Sequence, residues 1–279
     1  MGTRMKDYEA KTNIKLDPTL PFIIRLDGHT FSSFTHPFKK PGDVRIHNAM
    51  VATMVALVDK FKAATGFTCS DEITLVFPYH PPEVPDKPPQ LDFDGKVQKL
   101  GTLSAGYASM CFHKFLIREP YEANEQHLLQ HIEKAGPHFD SRVFNVPSHA
   151  ELVNNLMWRS LHDFRRNSIS SLAQCHFSQK ALNGKNTDQQ LEMLLEKGVD
   201  WNLQPAWYKY GTFAKKVKFE KESTLPDGKV VTAVRTRIET RDIEMNKTYT
   251  KEQEDWVTSK YWPEPTPSKT DPEVKSTQQ

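Results

Sequence analysis

Two features constrain this chain more than any others. An apolar run over residues 21–26 ends in Asp27-Gly28, and two β-rich runs, 67–69 and 73–77, are separated by Ser70-Asp71-Glu72. Between them, Ile46, Met50, Met54, Leu57 and Phe61 recur at spacings of three and four. That period predicts an amphipathic helix reaching about Lys62, with Asp43 as its N-cap. Gly66 stops it, and 67–77 reads as a hairpin whose turn carries the Ser-Asp-Glu triplet. A second helix is expected from about Lys96 to Phe115, where Gly101, Ser104, Ala105, Ala108 and Ser109 leave room to lie close on a sheet. Residues 142–146 read as a further strand. Strand, helix, hairpin, helix, strand is the order of a ferredoxin-like, split β-α-β arrangement.

The expected fold class is therefore α/β, a polymerase-palm-like antiparallel sheet with helices, plus a helical C-terminal region. In that topology the end of the first strand and the hairpin turn meet at one edge of the sheet, which makes Asp27, Asp71 and Glu72 neighbours. The organisation divides into a palm-like catalytic domain over 1–146, a helical and hairpin region over 147–262, and a tail over 263–279. Inside the first part, 78–94 is proline-rich and reads as an extended surface loop. In the second, 149–182 is helical and polar, 187–196 is a short helix, and 210–219 with 229–239 form a late hairpin. The tail is rich in Pro, Ser, Thr and Lys and is expected to be disordered.

The 279 residues carry a net charge of only +2, so nucleic-acid binding cannot be read from the total and would need a local patch. Three widely spaced cysteines without a C-x-x-C pair argue against a zinc site or a disulfide scaffold. No apolar run approaches the roughly 20 residues that span a bilayer. The first residues mix basic side chains with Asp7 and Glu9, unlike a secretory signal, and Lys6 stands where a myristoylation motif has Ser or Thr. A cytoplasmic protein with no membrane partner is expected.

Mg²⁺ prefers carboxylate and phosphate oxygens and keeps several waters, so two or three acids and a triphosphate suffice for a two-metal site. The turn over 27–31 offers backbone N–H groups to phosphates, and Lys39-Lys40 add cations just before a helix N-terminus. On the residues alone, Asp27-Gly28 and Ser-Asp-Glu read equally as ordinary turns, and Lys39-Lys40 as a solvated pair. His127 and His131 sit at i,i+4 with no third ligand, which favours a solvated face over a metal pair. Lys215, Lys216 and Lys218 alternate on the late hairpin, where they either track RNA or protect an edge. Trp201, Trp207 and Tyr208 read as packing residues.

The segment RLDGHTFSSFTHPFKKPGDVR followed by TCSDEITLVF closely resembles the N-terminal motif region of the tRNA-His guanylyltransferase family. Weaker likeness continues through Phe139-Asp140-Ser141-Arg142, Trp158-Arg159 and Tyr208-Lys209-Tyr210-Gly211-Thr212. That family adds nucleotides in the reverse, 3′-to-5′ direction with a polymerase-like palm. The resemblance implies that Asp27 and Asp71 bridge two Mg²⁺ ions, with Glu72 near or on them and the Gly28 carbonyl completing one sphere. It implies a triphosphate cradle in the backbone of Gly28, His29, Thr30 and Phe31. Lys40, Asp43 and Ser70 match nucleotide-site positions, and Lys96 and Lys99 resemble a basic pair facing the 5′ end or its triphosphate. GTP and ATP as substrates, tRNA as partner and a homotetramer follow from the same resemblance.

One departure matters. Where the eukaryotic guanylyltransferases carry His-Ile-Asn-Asn-Leu-Tyr-Asn, this chain reads Phe164-Arg165-Arg166-Asn167-Ser168-Ile169-Ser170. The histidine is absent and only Asn167 survives, while Arg165 and Arg166 either contact phosphates or are simply solvated. The loss points to the guanylyltransferase-like branch, whose members resemble template-dependent repair polymerases for truncated tRNA 5′ ends. Addition of G at position −1 of tRNA-His and a non-catalytic tRNA chaperone are the alternatives.

Overall fold

Alternation along one strand, β1 (Phe22–Gly28), sets up the two sides of the molecule. Phe22, Ile24 and Leu26 point one way and Ile23, Arg25 and Asp27 the other, because successive side chains of a strand leave opposite faces. The computed structural model describes residues 1–81, 90–224 and 229–263. In it β1 lies between β3 (Glu72–Phe77) and β4 (Phe139–Asn145), and β3 pairs with β2 (Thr65–Cys69) as the expected hairpin. The late hairpin, β5 (Thr212–Thr224) and β6 (Val230–Arg241), joins the free edge of β2. The sheet runs β4-β1-β3-β2-β5-β6, and every pairing is antiparallel. The first four strands reproduce the ferredoxin-like order. The sheet itself is continuous across residue 146, where the sequence suggested a domain boundary.

A nine-residue helix without buried side chains, α1 (Gly2–Ala10), precedes the sheet, and a single helical turn, α2 (Phe31–Phe34), follows β1. The first sheet face is covered by α3 (Val44–Phe61) and α4 (Val97–Leu116), with Met50, Met54, Leu57 and Phe112 packed on Ile24, Leu26, Ile73 and Leu75. Each such side chain contributes about 1.5–3 kcal/mol by leaving water. The small residues of α4 act as expected. The Ser104 and Ser141 hydroxyls lie 3.0 Å apart, and Ser109 Oγ accepts the Phe139 N–H at 3.1 Å. Helix α5 (Gln126–Ala135) closes this side by burying Leu128 and Ile132.

The second face carries α6 (His149–Met157), which continues through a π-helical stretch, Trp158–Phe164, into α7 (Arg165–His176). Leu152, Val153, Leu156 and Phe164 pack on Ile23, Phe67, Val76 and Phe213. Short helices α8 (Gln179–Leu182), α9 (Thr187–Glu196) and α10 (Ala206–Tyr210) build a smaller core with α7 around Ile169, Leu172, Trp201 and Tyr208. Trp201 and Tyr208 are thus packing residues. Helix α11 (Lys251–Thr258) then returns to the sheet. Lys215 is not an edge lysine at all. It is fully buried, and its Nζ donates to Ala64 O at 3.1 Å, Thr65 Oγ1 at 2.7 Å and Ser259 O at 2.5 Å. Among the described residues no helix is long and apolar enough to cross a membrane. Most of the proline-rich segment, 82–89, and the tail from 264 lie outside the described residues.

Candidate active site

The strand register decides which acids meet. Asp27 stands opposite Asp140 on one side and Glu72 on the other, so a row of acids crosses the second face at the end of β1. Ser70 holds a left-handed backbone (φ 52°), and the tight turn it makes lets the Gly28 N–H donate to Asp71 O at 3.0 Å. The tips of β1 and of the hairpin are thereby tied together. Burial pushes the Asp71 carboxyl above the usual range, and the negative charge of Asp27 pushes it further. Among the described residues neither Asp27 nor Asp71 is in an ion pair. Two adjoining carboxylates, neither in an ion pair and one of them buried, offer hard oxygen donors of the kind that suits Mg²⁺. Among the described residues there is no group of three or more His, Cys, Asp or Glu arranged to hold a metal. A metal here would take its remaining ligands from backbone oxygen, water and phosphate.

Glu72 does not join that pair. Its side chain is 4% exposed, and both oxygens are held by Arg159, whose Nε donates to Oε1 at 2.7 Å and whose second nitrogen donates to Oε2. Arg25 Nε lies 3.7 Å from the same carboxylate, and Asp163 holds the other side of Arg159 at 2.7 Å. Burial still raises the Glu72 carboxyl, against the pull of Arg159. Where the sequence reading set Glu72 near or on the metals, the structure shows its carboxylate engaged by Arg159. It anchors the π-helical stretch to the sheet beside the aspartates, with one charge-assisted hydrogen bond on each oxygen.

The turn after β1 leaves backbone N–H groups unengaged. Thr30 is left-handed (φ 53°) and its hydroxyl donates to His29 O at 2.8 Å. His29 spends its N–H on His138 O at 2.9 Å. The N–H groups of Thr30, Phe31 and Ser32 have no acceptor among the described residues. The cradle is thus carried by 30–32 more than by His29. Gly28 is required because a Cβ there would lie 2.3 Å from the Phe31 ring. Phe31 itself is buried among Phe34, Phe112 and Phe139, so its ring fixes the turn.

Beside the cradle and Asp71 opens a cavity of about 250 Å³, walled by Lys39, Lys40, Gly42, His47, Ser70, Asn167, Ser171 and Trp207. Lys40 and Ser70 stand on this wall as expected. Asp43 reaches it too, but its carboxylate is already engaged. Arg45 binds both its oxygens through Nε (2.9 Å) and the terminal nitrogen (2.8 Å), and the carboxylate also accepts the backbone N–H groups of Arg45 and Lys39. Burial opposes the charged form of Asp43, yet these bonds hold its carboxyl below the usual value. Asp43 caps α3 and shapes the wall. His47 stacks on Trp207 at 4.2 Å, and burial keeps its imidazole below the usual pKa.

Lys96 and Lys99 are not here. They stand at the start of α4, which packs beneath β4 near Asn145, while Asp27 is level with Asp140 at the other end. Helix α4 packs on the first face, so the sheet itself stands between them and the aspartates. His127 and His131 make no metal pair. His131 stacks on Phe34 and meets its carbonyl at 2.9 Å, while His127 meets Asn124 O. Residues not singled out from the sequence include Arg25, Asp163, His47 and Ser171. Arg25 was within reach of pattern reasoning, since it alternates onto the face of Asp27.

Adjoining aspartates at the tip of a four-stranded ferredoxin-like core, beside a turn with free N–H groups and a cavity of about 250 Å³, are the arrangement of a palm-type nucleotidyltransferase. The family model of the tRNAHis guanylyltransferases matches residues 2–147. An uncharacterized protein of Acanthamoeba polyphaga mimivirus is 38% identical over 224 residues, 77% of each chain. A bacterial tRNA(His) guanylyltransferase-like protein solved in complex with ATP superposes with a TM-score of 0.66 at 30% identity, over 76% of this chain and 86% of that one. One solved with GTP gives 0.69 at 27% identity, over 92% and 98%. This chain belongs to the tRNAHis guanylyltransferase family and is a nucleotidyltransferase.

Proposed function

We propose that the protein adds nucleotides to the 5′ end of tRNA in the 3′-to-5′ direction, directed by the opposite strand, and so repairs truncated acceptor ends. The observation that carries this reading is the unpaired Asp27–Asp71 couple beside three free N–H groups and a cavity of about 250 Å³. GTP and ATP are the proposed nucleotides, in keeping with the ligands of the two bacterial guanylyltransferase-like structures. Asp27 and Asp71, with the Gly28 carbonyl, would hold two Mg²⁺ ions, which would activate a 3′-hydroxyl and offset triphosphate charge. The free N–H groups of 30–32 receive phosphate oxygens, and Lys39 and Lys40 supply countercharge at the cavity wall. The stacked His47–Trp207 pair and Asn167 enclose the base. Protein groups here contribute positioning and preformed electrostatics. A homotetramer is part of the proposal, in keeping with the family the chain belongs to.

The altered Phe164–Ser170 stretch (164–170) supports the repair reading over G addition. In the structure it offers Phe164, Asn167 and Ser168 to the cavity and no histidine. The test is incubation with Mg²⁺, four nucleotides and 5′-truncated tRNAs whose 3′ strands template different bases. Additions that follow the template and stop at a complete acceptor stem are expected. A single template-independent G, on tRNA-His alone, would replace this reading with the guanylyltransferase, and binding without addition would leave a chaperone.

A further inference from the structure

The sequence singled out Arg165 and Arg166 without assigning them, and the structure gives them different fates. Arg166 is paired with Asp163. Among the described residues Arg165 is in no ion pair, and it lies over the Trp201 ring at 5.2 Å. It faces a second cleft, of about 430 Å³, distinct from the nucleotide cavity and lined also by His162, Lys209, Tyr210 and Lys247. Lys209 and Lys247 are likewise in no ion pair among the described residues. Lys209 lies over both the Tyr210 ring (5.0 Å) and the Trp201 ring (5.9 Å), and its Nζ donates to Asn202 O at 2.7 Å. Among the described residues the acid lining the cleft is Glu244, which is taken by the Tyr210 hydroxyl.

Three unpaired cations thus converge on one cleft, and two of them are held in place by aromatic faces. Cations fixed this way lose little further freedom on meeting a polyanion, which favours binding over mere solvation. The cleft floor is rigid as well, because Ser160 Oγ donates to Tyr210 O at 2.9 Å and joins α10 to the π-helical stretch. The same stretch carries Arg159, which is tied to Glu72 beside Asp27. Arg165 follows Arg159 by six residues, about 9 Å of helix. That is the rise of two to three stacked nucleotides of one strand at about 3.4 Å each.

We propose that this cleft binds the sugar-phosphate backbone of the RNA whose end is extended at Asp27 and Asp71. Arg165, Lys209 and Lys247 contact phosphates a few nucleotides from the reacting end. The proposal rests on the nucleotidyl-transfer reading of the site. It adds a positioning surface on the same sheet face that is separate from nucleotide recognition.

The test measures tRNA affinity by fluorescence anisotropy against salt concentration, for wild type and for the triple variant Arg165→Gln, Lys209→Gln, Lys247→Gln. Loss of three phosphate contacts should flatten the log–log salt slope by about 2 to 3 and weaken binding roughly 10- to 100-fold at 0.1 M salt. Binding of labelled GTP should be unchanged, which also reports that the variant is folded. A control, Lys60→Gln with Lys114→Gln on the other sheet face, should keep the wild-type slope. Equal slopes for the triple variant and wild type would overturn the cleft while leaving the active site standing. A wild-type protein that binds GTP but no tRNA would overturn the cleft and the functional reading together.

Discussion

Replacing Arg159 by Met tests the anchor beneath the active site. Glu72 is 4% exposed at its side chain, and Arg159, 15% exposed, supplies both of its strong hydrogen bonds. Met fills similar volume but strands the carboxylate, and removing one member of a buried pair costs about 3–5 kcal/mol. Arg25, 3.7 Å away, retains part of the attraction, so the lower end, about 3 kcal/mol, is expected. For a chain of this size that is roughly a 6–12 °C fall in Tm. The penalty belongs to a charged Glu72. Burial already raises its carboxyl, and loss of Arg159 raises it more. The penalty is therefore full at pH 8 and shrinks as pH falls toward 5 and the stranded group protonates. Urea unfolding of wild type, Arg159→Met, Glu72→Gln and the double variant at both pH values provides the cycle. The double variant should recover most of the loss. If it is as unstable as Arg159→Met alone, and pH leaves that gap unchanged, Glu72 is not the reason Arg159 matters.

Asp71→Asn should lower nucleotide transfer roughly 100- to 1000-fold while raising the Tm of the metal-free protein, because burial and Asp27 make the charged form of Asp71 a liability above its raised pKa. Mg²⁺ should raise the Tm of wild type and not of this variant, and equal Mg²⁺ shifts would remove Asp71 from the metal site. Gly28→Ala forces a Cβ to within 2.3 Å of the Phe31 ring, so calorimetry should show at least about 2 kcal/mol of destabilisation together with lost GTP binding. Lys215, with its pKa pushed down to about 7 by burial, makes the folded protein bind fewer protons than the unfolded chain above that pH. Wild-type stability should therefore gain up to about 1.4 kcal/mol per unit between pH 7 and 9, and Lys215→Met should abolish the gain; parallel pH profiles would contradict this.

Local chemistry made much of this legible in advance. The period of Ile46 to Phe61, the Asp-Gly break after residue 26 and the small residues of the second helix each report a constraint satisfied within a few residues, so they specify helix, strand end and close packing without knowledge of the rest. From these the split β-α-β order and the meeting of Asp27 with Asp71 follow. Which oxygens remain free does not. Glu72 follows Asp71 in the chain, yet Arg159, 87 residues away, takes both its oxygens, and Arg45 does the same to Asp43. Lys215 reads as an edge lysine until α11 covers it, and Lys96 looks close to the site until the direction of α4 carries it to the other end of the sheet. Sequence by itself determined the elements and the acidic turn, because periodicity and turn chemistry are local. Only the tertiary structure decided which charged groups are spent on one another and which stay free for a ligand, because pairing depends on what the fold brings within about 4 Å.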